Sequence, residues 1–397
     1  MAGGASSSSN DEALPPWYPA ALLDRPLDPK SFVSGLPSPW GRVHGWDYTA
    51  ALSPNWWGSE ANGRWGSWPN NVNAIEVIGQ HRWGVEVHLN GEWVAHLYPF
   101  QTGRDVSALA LHEPWARALA DAPLVLPVAG QYNERGDCVA VFPMHTLRDT
   151  AETVRQPVEL AATAARVHAA LAAESTPNTE RRWNEQLKAL EDKLKTTTLW
   201  RAPHTKNVVG LPSTNISMDG FADMNGSAVL IPFPRPLIDH LIAPDERLPG
   251  VANMAMMEQR LSLAAIFDDT TGRANFYRAW GDIVPDGWTS KASFSTVNGG
   301  VWIWRYHAML LMLAEARAYG LSTQAQRCDR WLLDVSRIQA RLGELRTVHA
   351  VRRGGALAAI AAALIGSGPV QVPFILGSAG VALAAHIVHQ RRMPPSL

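Results

Sequence analysis

The segment that decides the fold runs from residue 73 to residue 99 and reads NAIEVIGQHRWGVEVHLNGEWVAHLYP. Apolar and polar residues alternate in three pieces of it, NAIEVIG, GVEVHLN and GEWVAHLYP, as they do in strands with one buried face. Asn90-Gly91, between the second and third pieces, is a strong signal for a tight hairpin turn. The sequence therefore predicts three consecutive strands here.

The residues that follow change from strand to helix patterns. Residues 107–120, SALALHEPWARALA, have helical spacing, and residues 124–144 are typical of two more strands with a loop between them. Beyond Arg155 the pattern predicts long helices at 158–174, 181–195, 252–267, 300–320 and 327–345. We expect an α+β, bilobal fold: a small five-stranded β-lobe with one helix over residues 71–148, and a larger helical lobe over residues 149–347.

A β-hairpin is predicted inside the helical lobe. Two short apolar runs, NVVGLPSTNISM and SAVLIPF, flank the segment DGFADMNG at residues 219–226. Asp, Asn and Gly favour turns for local backbone reasons. We therefore expect two strands joined by residues 219–226.

The N-terminal part of the chain has a different composition. Residues 17–70 are rich in Trp, Pro and Gly and keep no helical or strand period. A loop-rich extension whose indoles pack on the chain's own body is expected, with a carbohydrate-binding surface as the alternative. Residues 1–16 lack the basic start and apolar stretch of a secretory signal and are predicted to be a disordered leader.

Charge and cysteine content exclude several function classes. A formal net charge of −1 over 397 residues gives no electrostatic footprint for nucleic acid, so no nucleic-acid partner is expected. Cys138 and Cys328 are too few for a disulfide framework and indicate reduced thiols in the cytoplasm. No paired Cys or His spacing indicates a zinc site, so no metal is expected.

The order of elements over residues 73–345 resembles the aminoglycoside-phosphotransferase branch of the protein-kinase-like superfamily. Four short motifs carry the resemblance. WVAHLYP resembles the third strand of the N-lobe, and AATAARVHAAL resembles the first long helix of the C-lobe. NVVGLPSTNISMDG resembles the catalytic loop, and SAVLIPFPRP resembles the metal-binding strand. The resemblance implies a kinase-like fold with a cleft built for phosphoryl transfer.

The resemblance also assigns roles to single positions. The cation that meets the nucleotide phosphates falls on His96, the proton-accepting Asp falls on Gly210, and the metal-binding Asp falls on Pro232. The metal-binding Asn is kept as Asn215, and Glu113 stands near the place of the cation's usual carboxylate partner.

Three of these positions carry residues that cannot supply the expected chemistry. His96 is mostly neutral at pH 7, Gly210 has no side chain, and Pro232 offers no metal ligand. The segment IGQHRWG places bulky side chains where a glycine-rich loop would cradle phosphates. The resemblance therefore implies a degenerate member, a pseudokinase, for which no cofactor is expected. Residual nucleotide binding without a metal would fall to His96, Glu113 and Asn215.

A relocated active site is the alternative. Its catalytic acids would come from residues near the predicted hairpin and metal strand, namely Asp219, Asp223, Asp239, Asp245 and Glu246. Turn formation and surface solvation are the competing interpretation of the same acids. His168, on an Ala-rich helix face, is predicted to be a hydrogen-bonded core histidine.

The C-terminal tail contains two apolar stretches, residues 354–366 and 372–388. Each is shorter than the roughly 20 residues of a full membrane span, and arginines stand outside both. We predict a helical hairpin over residues 350–392 that enters a membrane through residues 354–388, with both ends on the cytoplasmic face. A hairpin buried against protein and a single bent span are the alternatives.

Three functions follow as hypotheses. The first is a catalytically impaired kinase-like protein, tethered to a membrane, that acts as a scaffold or regulator of a protein partner in a hetero-complex. The second is a divergent, active phosphotransferase acting on a small molecule or peptide. The third is a membrane-anchored binding protein that uses its Trp-rich extension.

Overall fold

A computed structural model gives the structure of the chain. It describes residues 14–24, 27–28, 32, 34–177, 180–196, 209–245, 247–264, 270–289, 301–365 and 368–392. The predicted leader therefore lies outside the described residues, apart from residues 14–16.

The Trp-rich extension folds into short elements that pack on the rest of the chain. They are α1 (Ala20–Leu23), β1 (Leu36–Ser38), β2 (Gly41–Val43), α2 (Pro54–Gly58) and β3 (Arg64–Gly66). Trp17 and Trp57 are buried, and Trp17 packs edge-on against Phe100 at 5.7 Å between ring centroids. The indole N–H of Trp46 donates to the carbonyl oxygen of Tyr98 at 2.6 Å. These contacts confirm that the extension packs on the chain's own body.

The β-lobe is an antiparallel sheet of six strands. Its further strands are β4 (Ile75–His81), β5 (Gly84–Leu89), β6 (Trp93–Leu97), β7 (Ala129–Tyr132) and β8 (Asp137–Pro143). The strands lie in the order β3-β7-β8-β6-β5-β4. The five predicted strands are confirmed, and Asn90 and Gly91 adopt the positive φ angles, 54° and 68°, of the predicted turn.

The sixth strand, β3, comes from the extension and was not predicted. It has three residues, too few to show a period, and its position depends on Arg64. The Arg64 guanidinium donates to the carbonyl oxygens of Trp56 and Trp57 at 2.8 and 3.1 Å, and it lies 4.2 Å from the ring centroid of Trp68. This arginine ties β3 to α2 through contacts that a pattern search does not reveal.

The predicted helix over residues 107–120 is divided in two. One residue, His112, separates helix α3 (Asp105–Leu111) from helix α4 (Glu113–Leu119). Pro114 explains the break, because it has no N–H for the next helical hydrogen bond and its ring crowds the preceding turn.

The larger lobe is mostly helical. Its helices are α5 (Thr150–Arg155), α6 (Pro157–Ala170), α7 (Glu180–Leu194), α8 (Leu237–Ile242), α9 (Gly250–Leu263), α10 (Thr270–Gly281), α11 (Asp286–Thr289), α12 (Trp302–Ala318) and α13 (Ser322–Leu333). Its short strands are β9 (Thr146–Leu147), β10 (Thr176–Pro177), β11 (Val209–Gly210), β12 (Phe221–Met224) and β13 (Ser227–Leu230). Helix α12 is buried over most of its length and forms the centre of this lobe.

The hairpin of this lobe is shorter than predicted. Strands β12 and β13 pair antiparallel, and Asn225-Gly226 joins them with φ angles of 52° and 76°. The first expected strand was therefore misplaced: residues 211–217 form a loop, and β12 lies within the segment predicted as the turn. Asn-Gly, and not the longer polar segment, sets the position of the turn.

A buried ion pair stabilises the packing of α9 on α12. The Nε of Arg305 donates to Glu258 at 2.7 Å, and the Tyr277 hydroxyl donates to the same carboxyl oxygen at 2.8 Å. Both charged side chains are almost inaccessible to solvent. Removal of one partner from such a pair typically costs about 3–5 kcal/mol, because the other charge stays buried.

The tail forms two long helices, α14 (Val335–Ile365) and α15 (Gln371–Arg392). They pack as a hairpin: a Cβ added to Gly355 would lie 3.0 Å from the carbonyl oxygen of Ser378 and 3.3 Å from the Cβ of Ala382. Apolar side chains near the turn are largely exposed, 80% for Leu364 and 82% for Ile365. By length and composition alone, two helical stretches, Ser322–Ile365 and Gln371–His389, are able to cross a membrane.

Candidate functional site

The β4–β5 hairpin reaches from the β-lobe to the helical lobe through its two turn residues, Arg82 and Trp83. The Nε of Arg82 lies 3.8 Å from a carboxyl oxygen of Glu315 on α12. The Arg82 guanidinium also lies 3.9 Å from the ring centroid of Tyr319. The tip of this hairpin therefore joins the two lobes across the cleft between them.

Trp83 fills part of that cleft. Its ring centroid lies 4.2 Å from that of His96 and 4.9 Å from that of Phe233, and the Phe233 ring is nearly parallel to it, at 17°. His81 stacks on the same indole at 4.8 Å and 8°. Aromatic pairs of this kind contribute about 0.5–1.5 kcal/mol each beyond the area that they bury. The indole thus occupies the space between the cation position and the residue that follows Pro232.

Gly84, at the base of this hairpin, has a structural role. Its φ is +151°, and an added Cβ would lie 2.1 Å from the carbonyl oxygen of Leu97 on β6. The close approach of β5 to β6 therefore requires glycine here. This glycine of the IGQHRWG segment is explained without any bound phosphate.

His96 lies on β6, with Glu86 opposite it on β5 and Ala140 opposite it on β8. Its side chain is fully buried. Burial, followed by the nearby rings of His145 and His81, lowers the pKa of His96 well below its usual value. A neutral ring supplies no fixed positive charge for a nucleotide phosphate.

Asn215 is held by a residue of the β-lobe. Its Nδ2 donates to Asp105 Oδ2 at 3.0 Å, and the backbone N–H of Arg235 donates to the same oxygen at 2.9 Å. Burial raises the pKa of Asp105 to about 6, although these hydrogen bonds act in the opposite direction. Asp105 therefore connects the start of α3 to the loop 211–217 and to the segment after β13.

Gly210 and Pro232 are both buried. Gly210 ends β11 and pairs with Thr176 of β10. Pro232 follows β13 and directly precedes Phe233, which stacks against Trp83. Neither position brings a carboxylate into the cleft.

A cavity of about 230 Å³ lies between the two lobes, beside Asn215. Its walls come from the loop 211–217, the segment 233–239 and helices α9 and α12 on one side, and from β-lobe residues that include Arg82 and Trp83 on the other. The volume is below the roughly 300–1,000 Å³ of typical small-molecule pockets, so it suits a small ligand.

The charged groups in the cavity walls are already paired. Arg260 Nη2 lies 3.0 Å from Glu315 and Arg260 Nη1 lies 3.7 Å from Asp219. Arg235 Nη2 lies 2.9 Å from Asp239 Oδ1. An entering ligand would have to compete with these ion pairs for either charge.

The acids considered for a relocated site separate into two groups. Asp219, Asp239 and Asp245 line the cavity. Asp223 lies on β12, where Arg148 binds both of its carboxyl oxygens at 2.9 and 2.7 Å, and it does not line the cavity. Glu246 lies outside the described residues.

Two further candidates from the sequence have clear positions. Glu113 is 80% exposed and pairs with Arg117 one helical turn away, so the structure does not bring it to the buried ring of His96. His168 is buried and accepts a hydrogen bond from the indole N–H of Trp280 at 2.9 Å, which confirms it as a core histidine. Burial lowers the pKa of His168 to about 4.

Sequence reasoning missed Asp105. Its contact with Asn215 joins residues 110 positions apart, which no local spacing reveals. An acidic residue in the first turn of a helix is the only signal available, and the helix dipole explains that signal equally well. The sequence predicted that bulky side chains at residues 81–83 replace a phosphate-binding loop. It did not predict the contacts of Trp83 with His96 and Phe233.

The described residues form a sheet-rich lobe, a larger helical lobe and a C-terminal helical hairpin. Neither a protein-family model nor a curated protein matches the sequence. Three solved structures of kinases are similar to it.

A glucosamine kinase is 15% identical, with a TM-score of 0.41, over 73% of this chain and 80% of the kinase. An aminoglycoside phosphotransferase in complex with GDP and kanamycin is 12% identical, with a TM-score of 0.40, over 68% of this chain and 94% of the phosphotransferase. A wild-type aminoglycoside 2′-phosphotransferase in complex with GDP is 13% identical, with a TM-score of 0.38, over 66% of this chain and 92% of the phosphotransferase.

Proposed function

We propose that this protein is a catalytically impaired kinase-like protein, held at the cytoplasmic face of a membrane by its C-terminal helices, that serves as a scaffold or regulator of a protein partner. The observation that carries the proposal is the position of Trp83. Its indole stacks on Phe233 and packs at a tilt against His96, where the resemblance to kinases would place the nucleotide phosphates.

The residues around Trp83 support the same conclusion. Phosphoryl transfer needs a fixed cation, a proton acceptor and carboxylate-bound metal ions. The corresponding positions hold the neutral ring of His96, Gly210 and Pro232. The remaining metal-binding residue, Asn215, is hydrogen-bonded to Asp105. Effects of groups that act together are not additive, so a single surviving group does not preserve the rate.

The test is nucleotide binding and turnover by the full chain in detergent. We expect no rise in melting temperature with ATP or GTP and Mg²⁺, and no phosphate release. Trp83→Gly sharpens the experiment: removal of the indole should allow nucleotide to raise the melting temperature, still without turnover. Metal-dependent turnover by the unmodified chain that Asn215→Ala abolishes would overturn the proposal.

The membrane part of the proposal rests on the exposed tail. From Gly354 to Ile365 the apolar end of α14 rises about 18 Å, and residues 372–388 of α15 rise about 25 Å, both less than the roughly 30 Å hydrocarbon core. A hairpin that enters the membrane from one side fits these lengths. We expect the full chain to float with vesicles and a chain lacking residues 350–397 to stay soluble. Equal flotation of both chains would contradict membrane tethering.

Two indoles of the Trp-rich extension, those of Trp17 and Trp57, are buried against the chain itself and are therefore unavailable to a partner.

One observation favours a divergent phosphotransferase as the second candidate function. The cavity beside Asn215 is lined by the acids Asp219, Asp239 and Asp245. If one of them accepts the proton of a small substrate, its change to Asn should abolish turnover while Asp223→Asn, outside the cavity, should not. Absence of turnover in the unmodified chain would remove this candidate.

A further inference from the structure

The cleft face of the β-lobe carries a cluster of metal-ligand side chains that the resemblance to kinases does not account for. Glu86, His96 and His145 are all buried, and one donor atom from each lies within 4.8 Å of the others. Ligands at about 2.1 Å from a tetrahedral ion lie about 3.4 Å apart. Ring rotations that move the donor atoms by less than about an ångström would therefore suffice to bring the three onto one ion.

The fold explains why these three side chains meet. Glu86 and His96 are direct cross-strand partners on β5 and β6, so their side chains leave the same face of the sheet. His145 follows the neighbouring strand β8, and its ring centroid lies 5.6 Å from that of His96. The cluster is thus fixed by a rigid sheet and by the short connection that leaves it.

The hydrogen bonds of the cluster leave its ring nitrogens free to bind an ion. His145 Nδ1 lies 3.0 Å from the carbonyl oxygen of Pro143, to which it donates its proton, so Nε2 keeps its lone pair. Among the described residues, His145 Nε2 and both ring nitrogens of His96 are buried without a hydrogen-bond partner. Such groups normally have partners, because burying them unpaired is costly.

The surroundings match those of a metal site. His81 Nε2 lies 2.9 Å from Glu86 Oε2, as in the outer-shell histidine–carboxyl contacts that orient metal ligands. Trp83 stacks on His81 and packs at a tilt against His96, next to the cluster.

We propose that Glu86, His96 and His145 form a binding site for a divalent first-row transition metal ion, with Zn²⁺ as the best fit to two imidazoles and one carboxyl group. Imidazole nitrogen suits zinc, copper, iron and nickel, whereas magnesium prefers oxygen ligands alone. The ion would clamp β5, β6 and the connection after β8 beneath Trp83. This site differs in position and ligand type from the magnesium site of a working kinase, and it does not depend on the cleft being inactive.

The experiment measures metal content and affinity of the full chain, purified in detergent without a polyhistidine tag. After chelator treatment and addition of Zn²⁺, we expect one bound ion per chain by elemental mass spectrometry, and a higher melting temperature than that of the stripped protein. Competition with a chromophoric chelator gives the affinity.

The ligand variants are Glu86→Gln, His96→Gln and His145→Gln, and the matched control is His112→Gln, at an exposed histidine of the same lobe. Each ligand variant should bind Zn²⁺ at least about tenfold more weakly, and the control should bind as the unmodified chain does. Co²⁺ serves as a second probe, because loss of its visible absorption in Glu86→Gln reports directly on the ligand set.

Two outcomes would overturn the proposal. One is a chain that retains none of Zn²⁺, Co²⁺, Ni²⁺ or Cu²⁺. The other is an ion that all three ligand variants retain but that His349→Gln or His389→Gln releases. The ring centroids of those two histidines lie 5.6 Å apart at the base of the tail hairpin, so they are the alternative ligands. If His96→Gln does not fold by circular dichroism, Glu86→Gln and His145→Gln decide the question, because Glu86→Gln keeps the size of the side chain.

Discussion

The N-terminal extension and the C-terminal hairpin are both apolar additions to the same two-lobed body, and they make opposite use of their apolar residues. The extension buries its indoles: Trp57 is inaccessible, and its N–H donates to the carbonyl oxygen of Ala51 at 2.9 Å. The hairpin leaves Leu364 and Ile365 about four-fifths exposed. Apolar composition therefore does not decide where a segment packs; complementary surface and polar anchors on the body do.

The difference also has a chemical basis. Tryptophan combines a large apolar ring with one N–H donor, so it is directed to places where a carbonyl oxygen is available. The tail consists mainly of Ala, Leu, Ile, Val and Gly, whose side chains have no donor to place. Such a segment gains most from an apolar solvent, which is the reason for proposing a membrane.

The largest expected effect concerns the N-terminal extension, whose Trp57 is buried. Trp57→Ala should lower the free energy of unfolding by about 3–5 kcal/mol, because it empties a core position and removes the stacking on Trp68. Leu364→Ala, at an exposed site of the tail, should change it by no more than about 0.5 kcal/mol in detergent. Denaturant unfolding followed by tryptophan fluorescence measures both free energies. Similar changes in the two variants would contradict the difference in packing between the extension and the tail.

The next largest effect concerns the C-terminal hairpin, whose tip is exposed. Under the proposal that the hairpin enters a bilayer, Ile365→Asp should weaken vesicle binding by about 2.5–3.5 kcal/mol, the cost of placing a charge at the centre of a membrane helix. The unfolding free energy of the body should stay the same. Flotation with vesicles of a phosphatidylcholine and phosphatidylglycerol mixture measures the binding. Unchanged flotation would show that the tip does not enter the hydrocarbon.

The smallest effect tests whether the two tail helices pack through a specific contact. Gly355→Leu should destabilise the α14–α15 pair by about 1 kcal/mol, because its side chain would meet the backbone of α15 at Ser378. Gly354→Leu is the matched control, since an added Cβ there has no neighbour within 4 Å. Proteolysis of the tail in detergent should accelerate for the first variant alone; equal rates would mean that the contact at residue 355 is dispensable.

The sequence anticipates the β-lobe best. Alternation over residues 75–97 and the turn at Asn90-Gly91 determine three strands by local rules alone. Local signals also mark two of the errors, whereas the helix predicted over residues 327–345 is divided at Asp334 between α13 and α14. Pro114 marks the break between α3 and α4, and Asn225-Gly226 marks the true turn between β12 and β13, yet broader helical and polar patterns obscure both.

The candidate site is less predictable because its contacts span the chain. Gly210 and Pro232 are assigned by order and spacing alone. The interaction of Asp105 with Asn215, and the approach of His145 to Glu86 and His96, depend on how strands and loops meet in space. Residue spacing along the sequence does not show these contacts.

Trp17 touches both lobes, and this contact has a kinetic consequence. Its ring packs on Phe100 beyond β6, and its carbonyl oxygen accepts a hydrogen bond from the Tyr319 hydroxyl beyond α12 at 3.3 Å. The lobes can move apart only if this contact breaks together with those of Arg82 and Asp105. A ligand in the 230 Å³ cavity that is too large to leave by the existing opening would then have a residence time that depends on how often residues 14–24 detach.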